Sequence, residues 1–156
     1  AQEGMRADLG SYTFTRDRIL DFARQFDPQD FHLDDEAAAR GPFGRLSASG
    51  WHTAAAFMQR YVVHLDHIRA EATARGDALP PAGPSPGFED MQWLKPVCAG
   101  DTVTYAITLA GKRELASRPG WGLVTAEVEG WNQDGVAVFR FTAKLLIARR
   151  AAPRPE

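Results

Sequence analysis

The chain has 156 residues, of which 44% are hydrophobic and 24% charged, with a formal net charge of -2. This length suits one domain with a substantial core, and the near-neutral charge excludes the basic surface typical of nucleic-acid-binding proteins. Short apolar runs, a polar N-terminus without a secretory signal and one cysteine, Cys98, predict a cytoplasmic protein with no membrane partner and no intrachain disulfide.

The start of the chain predicts one short strand and two helices. The strand is expected at residues 12–15, Thr15 is expected to cap a helix, and apolar residues then recur at helical spacing from Ile19 to Phe26. Asp27 and Pro28 end this first helix, because proline disfavours helical geometry in the residue before it. A second, short helix is capped by Asp34 and ends at residues 41–42.

A third, much longer helix is predicted in the middle of the chain. It starts near Ser49 and Gly50 and runs to about Ala74. One stripe of this helix is expected to face the core, and it consists of Trp51, Ala54, Ala55, Met58, Val62 and Leu65. A loop rich in proline and glycine follows at residues 76–87.

The second half of the chain has the patterning of strands. The four predicted strands are residues 88–94, 102–109, 121–131 and 136–149. Residues 132–135, Asn-Gln-Asp-Gly, are typical of a hairpin turn. One long helix followed by antiparallel strands indicates an α+β fold in which the sheet wraps around the helix. We expect residues 1–156 to form a single domain, with flexible ends at about 1–9 and 150–156.

The most informative segment for function is residues 27–34, Asp-Pro-Gln-Asp-Phe-His-Leu-Asp. Asp27 and His32 are five positions apart, so they are not close neighbours on one face of a regular helix. A turn at Pro28 can instead bring them to one small volume, where the pair can polarise a water molecule. The alternative for Asp27 is structural, as the cap of the next helix with Pro28 in its first turn. His32 by itself is more typical of a half-buried structural histidine.

Ser49 and Gly50 offer the second half of a reaction site. The start of a helix has free backbone N–H groups, which can face an oxygen that becomes negative. The alternatives are again structural, since Ser49 can be a helix cap and Gly50 can allow close packing of helix and sheet. His64 and His67 are three positions apart, but they lack a third ligand at helical spacing, so we predict no metal site.

Together these residues resemble the MaoC-like acyl dehydratases, close to the (R)-specific enoyl-CoA hydratases, which have a hot-dog fold. The family segment Asp-x-Asn-Pro-x-His-x-Asp corresponds to residues 27–34, followed by alanines at 37–39, Phe43 and the helix start at Gly50. Residues 93–97 resemble the family's lead into its next strand. Three positions depart from the pattern: Gln29 stands for asparagine, Asp30 for proline and Ser49 for histidine.

The resemblance implies a hydro-lyase of fatty acid metabolism, which adds or removes water across the α,β double bond of an acyl-CoA or acyl-carrier-protein thioester. It implies that Asp27 and His32 hold the water, and that the Gly50 N–H, beside Ser49, binds the thioester oxygen. The expected pocket wall consists of Phe31, Phe43, Trp51 and His52. It also implies a homodimer or larger homo-oligomer, with no metal or redox cofactor.

Two other functions stay open at this point. One is a hot-dog thioesterase, in which Asp27 activates water to attack the carbonyl carbon. The other is a non-catalytic acyl-thioester-binding protein, which the departures at Gln29, Asp30 and Ser49 favour. Asp30 matters most among them, because a second carboxylate near Asp27 would raise the proton affinity of either group.

Overall fold

The computed structural model describes residues 2–149, which form a five-stranded antiparallel sheet and four helices. The strands are β1 (Arg6–Thr13), β2 (Gly87–Trp93), β3 (Thr102–Glu114), β4 (Trp121–Trp131) and β5 (Ala137–Ala148). The helices are α1 (Arg16–Phe26), α2 (Asp30–Leu33), α3 (Asp35–Arg40) and α4 (Gly50–Ala74). The sheet has the order β1-β3-β4-β5-β2, so β1 and β2 are its edges. This arrangement confirms the predicted α+β hot-dog fold, with α4 as the long central helix.

Strand β1 corrects the predicted flexible N-terminal end at residues 1–9. Pairing with β3 already begins at Arg6, which lies opposite Thr108. Leu9 is buried against the core while its neighbours Asp8 and Gly10 are exposed, so a single apolar residue anchors this part of the strand. One apolar residue gives too little alternation for a sequence-based prediction. The other predicted flexible end, 150–156, lies outside the described residues.

Side-chain caps fix the starts of three helices. Thr15 accepts a backbone N–H at the start of α1, and Asp34 does the same at the start of α3. The hydroxyl of Ser49 accepts the N–H of Trp51 at the start of α4, at 3.3 Å. The predicted starts of these helices are therefore confirmed. The single turn of α2 was not predicted, because four residues are too few for a periodic pattern.

Helix α4 packs against the sheet through a face that was not predicted. Its buried residues near the N-terminus are His52, Thr53, Ala56 and Phe57. The ring of Phe57 packs edge-on against Phe141 of β5, and the hydroxyl of Tyr105 on β3 donates to the carbonyl of Thr53 at 2.9 Å. These contacts fix the rotation of the helix, and with it the direction in which its first turn faces.

The predicted core stripe of α4 is wrong, because its largest members face outward. Trp51, Met58 and Val62 have exposed fractions of 56%, 52% and 44%. The helix carries apolar side chains on two sides, so its periodicity does not say which side meets the sheet. No helix within residues 2–149 is long and apolar enough to cross a membrane.

Candidate functional site

Asp27 lies where the chain leaves α1 and turns toward α2. Its backbone N–H bonds to the carbonyl of Ala23, at 3.0 Å, so Asp27 ends α1 instead of starting the next helix. The residue that precedes α2 is Gln29, whose side chain makes no capping bond. The structural alternative for Asp27 is therefore wrong. After the turn at Pro28, the carboxylate of Asp27 is not used to cap a helix and can contact other side chains.

The turn brings the side chains of Asp27 and His32 together. His32 Nε2 is 3.4 Å from Asp27 Oδ2, and the two side chains are 6% and 17% exposed. The other ring nitrogen, Nδ1, lies 2.7 Å from the carbonyl oxygen of Ser47. A carbonyl oxygen can only accept, so Nδ1 carries the hydrogen. Nε2 is then the ring atom available to Asp27 and to a bound molecule.

Two polar neighbours stabilise the charged form of Asp27. Gln29 Nε2 donates to Asp27 Oδ1 at 2.7 Å, and the side chain of Ser49 also lowers the pKa of this carboxylate. Burial raises the pKa of Asp27, but Ser49, Gln29 and the positive charge of His32 in its protonated form lower it by more, so the pKa lies below its usual value. The carboxylate is therefore ionised at neutral pH and can accept a proton.

Asp30 does not have the effect on Asp27 that its sequence position suggested. It is exposed at the first position of the one-turn helix α2. The groups that shift the pKa of Asp27 are Ser49, Gln29 and His32, in addition to burial. A second carboxylate in the sequence is thus kept apart from the first by the turn between them.

A short extended segment connects the Asp27–His32 pair to α4. The N–H of Ala48 donates to the carbonyl of Val97 at 2.7 Å, and the N–H of Ala99 donates to the carbonyl of Leu46 at 3.0 Å. These bonds hold the chain just before Gly50, the first residue of α4. Within residues 2–149, no backbone acceptor pairs with the N–H of Gly50. That group is available to an oxygen of a bound molecule.

Gly50 is packed directly against Trp93. The indole Nε1–H of Trp93 donates to the carbonyl of Gly50 at 2.8 Å. A Cβ atom at position 50 would lie 2.7 Å from Cε2 and Nε1 of that indole, so no larger residue fits without movement. Close packing, one of the two explanations for this glycine, is therefore confirmed. It leaves the N–H available, so the proposed contact with an oxygen stays a prediction.

The pair and Gly50 open onto a cavity of about 440 Å³. Three of the four predicted wall residues, Phe31, Phe43 and Trp51, line this cavity. Trp93 and residues 94–97 line it as well. Sequence patterns alone did not identify residues 94–97 as wall, because they follow β2 and lie far from residue 32 along the chain. The size and the mainly apolar lining are typical of a small-molecule site.

His52, the fourth predicted wall residue, does not line the cavity. Successive helix positions are about 100° apart, so His52 faces the core while Trp51 faces the cavity. The ring of His52 stacks on Phe22 with centroids 4.6 Å apart, and its Nε2 lies 3.1 Å from the hydroxyl of Tyr12. Burial and the nearby charge of Arg18 lower the pKa of His52 to about 4. His52 is therefore a neutral core residue.

His67, on a later turn of α4, pairs with a carboxylate on the surface of the same helix. His67 Nε2 lies 3.1 Å from Glu71, one helical turn away, and both side chains are exposed. In the described range, 2–149, no group of three or more His, Cys, Asp or Glu side chains is arranged to hold a metal ion.

Known proteins resemble this chain over most of its length. The family model of the MaoC like domain matches residues 2–132. Uncharacterized protein YdeM from Bacillus subtilis is 30% identical over 139 residues, which are 89% of each chain. The crystal structure of a MaoC-like dehydratase from Rhodospirillum rubrum has 34% sequence identity and a TM-score of 0.80, covering 97% of this chain and 96% of that chain. Mesaconyl-CoA hydratase from Cereibacter sphaeroides is 37% identical over 71 residues, which are 44% of this chain and only 20% of that protein.

Proposed function

This chain belongs to the MaoC-like dehydratase family, and we propose that it is a cytoplasmic hydro-lyase acting on the α,β double bond of an acyl thioester. The observation that carries this proposal is the pair of Asp27 and His32, 3.4 Å apart at a cavity that Gly50 also lines. The local similarity to mesaconyl-CoA hydratase supports a CoA thioester as the substrate. The apolar lining of the cavity suits the acyl group.

The pair is suited to hold a water molecule as a nucleophile. The Asp27 carboxylate accepts hydrogen bonds, and Nε2 of His32 does so as well in the form whose only ring hydrogen is on Nδ1. A water molecule between them donates both of its hydrogens, so its lone pairs point into the cavity. One of the two groups removes a proton from this water as its oxygen attacks the β carbon.

The N–H of Gly50 is suited to the other end of the reacting group. When the C–O bond forms at the β carbon, the electrons of the double bond move toward the thioester carbonyl and make an enolate. A hydrogen bond to the enolate oxygen stabilises this charge, which is absent in the substrate. The Asp27–His32 pair then returns a proton to the α carbon. The hydroxyl group of the water thus ends on the β carbon, and a proton ends on the α carbon.

The products distinguish this reaction from thioester hydrolysis. With a short enoyl-CoA, we expect the absorbance of the conjugated thioester to fall while no free thiol appears. Hydrolysis by the alternative thioesterase mechanism would release one thiol for each thioester lost. A thiol reagent added to the reaction measures the free thiol, while the absorbance measures the conjugated thioester. Stoichiometric thiol release would rule out the hydratase. Tight binding of acyl-CoA without either signal would indicate the non-catalytic binding protein.

We also propose that the protein is a homodimer, or a larger homo-oligomer, through the exposed apolar side of α4 and β2. On α4 this surface includes Met58 and Val62, and the edge strand β2 adds Phe88, which is 53% exposed. An apolar surface next to an unpaired sheet edge is costly to leave in water. A second copy of the chain would cover both features, in keeping with the oligomers expected of hot-dog proteins.

Charges on this surface are expected to separate the copies. The variant Met58→Glu/Val62→Glu should have the mass of one 17.1 kDa chain in light scattering, and the wild type at least twice that mass. The control is Leu79→Glu, which charges an equally exposed apolar residue in the loop before β2. A wild-type protein that is monomeric at micromolar concentration would contradict the proposal.

A further inference from the structure

Lys95 is a charged residue of the cavity lining that the proposed reaction does not use. It is the only lysine or arginine among the lining residues that the structure describes. Lys95 is exposed, and within residues 2–149 its ammonium group has neither an ion-pair partner nor a hydrogen-bond partner. The carboxylate in the same lining is already in contact with other side chains, since Asp27 accepts a bond from Gln29 and lies 3.4 Å from His32. The positive charge of Lys95 is therefore available to a bound molecule.

Two contacts hold the segment that contains Lys95 beside the start of α4. Trp93, two residues earlier, donates its indole N–H to the carbonyl of Gly50 at 2.8 Å. Val97, two residues later, accepts the N–H of Ala48 at 2.7 Å. Two residues of extended chain span at most about 7 Å, so Lys95 is close to both contacts. It therefore lies on the side of the cavity where the N–H of Gly50 is available.

We propose that Lys95 binds a carboxylate on the acyl group, so that the preferred substrate is a thioester of a dicarboxylic acid. The inference rests on the proposed function in one respect, namely that the cavity takes an acyl thioester whose carbonyl oxygen meets the N–H of Gly50. A carboxylate is the anion that an acyl group can carry close to this carbonyl. The phosphate groups of CoA are separated from the carbonyl by the whole pantetheine arm, so they are the less suitable partner.

The other groups of the cavity explain why a substrate carboxylate needs such a partner. A carboxylate that enters a mainly apolar cavity loses bound water, and the ionised Asp27 repels it. An ammonium group compensates for both effects, because hydrogen bonds between charged groups are stronger than those between neutral groups. Losing one hydrogen bond to a charged group is expected to lower an affinity by about 10-fold to 10²-fold. The charge of Lys95 can thus decide between acyl groups that differ only in a carboxylate.

The binding of saturated thioesters tests the inference without depending on turnover. Butyryl-CoA and succinyl-CoA differ only in that a carboxylate replaces the terminal methyl group, and neither has a double bond to hydrate. In isothermal titration calorimetry, we expect the wild type to bind succinyl-CoA about 10-fold or more tightly than butyryl-CoA. The variant Lys95→Met keeps an unbranched side chain but removes its charge. Its affinity for succinyl-CoA should fall by about 10-fold to 10²-fold, whereas its affinity for butyryl-CoA should be unchanged.

The matched control is Lys112→Met, which removes the charge of an exposed lysine on β3 that is not part of the cavity lining. This variant should bind both thioesters as the wild type does. An equal loss of affinity for both thioesters in Lys95→Met would overturn the inference, because the lost partner would then be a phosphate of CoA. Unchanged affinities in Lys95→Met, or a wild type without a preference for succinyl-CoA, would overturn it as well. If Lys95→Met loses affinity for succinyl-CoA alone but the wild type hydrates no enoyl-CoA, the role of Lys95 is supported and only the proposed function fails.

Discussion

The variants Asp27→Asn and His32→Ala are each expected to lower kcat/KM for hydration of a short enoyl-CoA by about 10³-fold or more. General acid and base groups contribute about 10² to 10⁴ to enzymatic rates, and here one water molecule depends on both residues. Asparagine has the size of aspartate and can still bond to Gln29, but it accepts no proton. In His32→Ala the atom 3.4 Å from Asp27 Oδ2 is gone. Steady-state kinetics measure the loss, and circular dichroism measures whether each variant is folded.

Two exposed residues of the same types provide the controls. Asp30→Asn removes an exposed carboxylate only three positions from Asp27, and His67→Ala removes an exposed imidazole on α4. Both should keep wild-type kinetics, because neither side chain lines the cavity. If Asp27→Asn and His32→Ala also kept wild-type rates while folded, the assignment of the site would be wrong.

The order of the elements could be predicted from the sequence because local signals fix it. Thr15, Asp34 and Ser49 are capping residues that act within three positions of themselves, and each starts a helix in the structure. Pro28 ends α1 through a steric effect on the residue before it. The Asp27–His32 convergence follows from the same local turn. Structural features that depend on residues close together in sequence can therefore be predicted from the sequence.

Which side of a helix faces the core could not be predicted, because it depends on contacts with residues that are distant in sequence. The family resemblance implies that both Trp51 and His52 line the cavity, yet contacts with Tyr12 and Phe22 place His52 in the core. The same rotation exposes Met58, which periodicity had placed inside. Because α4 has apolar residues on two sides, its contacts with the sheet determine which side is buried.

The contribution of Ser49 and Gln29 to the site was also outside the reach of sequence patterns. Both are departures from the family motif, and from the sequence alone both favour a non-catalytic binding protein. In the structure Gln29 donates to Asp27 at 2.7 Å, and both Gln29 and Ser49 lower the pKa of Asp27, against the effect of burial. A departure from a motif is therefore ambiguous until the partner of the new side chain is known.

Gly50→Ala is expected to have the second-largest effect, with kcat/KM lower by about 10² to 10³, the range that follows the loss of one oxyanion donor in a studied hydrolase. The new Cβ would lie 2.7 Å from the indole of Trp93, so the ring or the first turn of α4 must move. Either movement displaces the N–H that we propose for the thioester oxygen. Steady-state kinetics give the loss, and the tryptophan fluorescence of Gly50→Ala should differ from that of the wild type because the indole of Trp93 is displaced. The overpacking itself should cost about 1–3 kcal/mol of stability.

Gly83→Ala is the matched control for that steric effect. A Cβ at position 83 would lie 2.9 Å from the ring of Trp121 and 3.1 Å from Leu146, a comparable clash away from the cavity lining. We expect a similar loss of stability with kcat/KM unchanged, because the N–H of Gly50 stays in place. The double variant Gly50→Ala/Trp93→Leu removes the indole that the new methyl group meets, and it should recover part of the stability. Wild-type kcat/KM in Gly50→Ala would mean that this N–H does not bind the reacting oxygen, and that Gly50 serves packing alone.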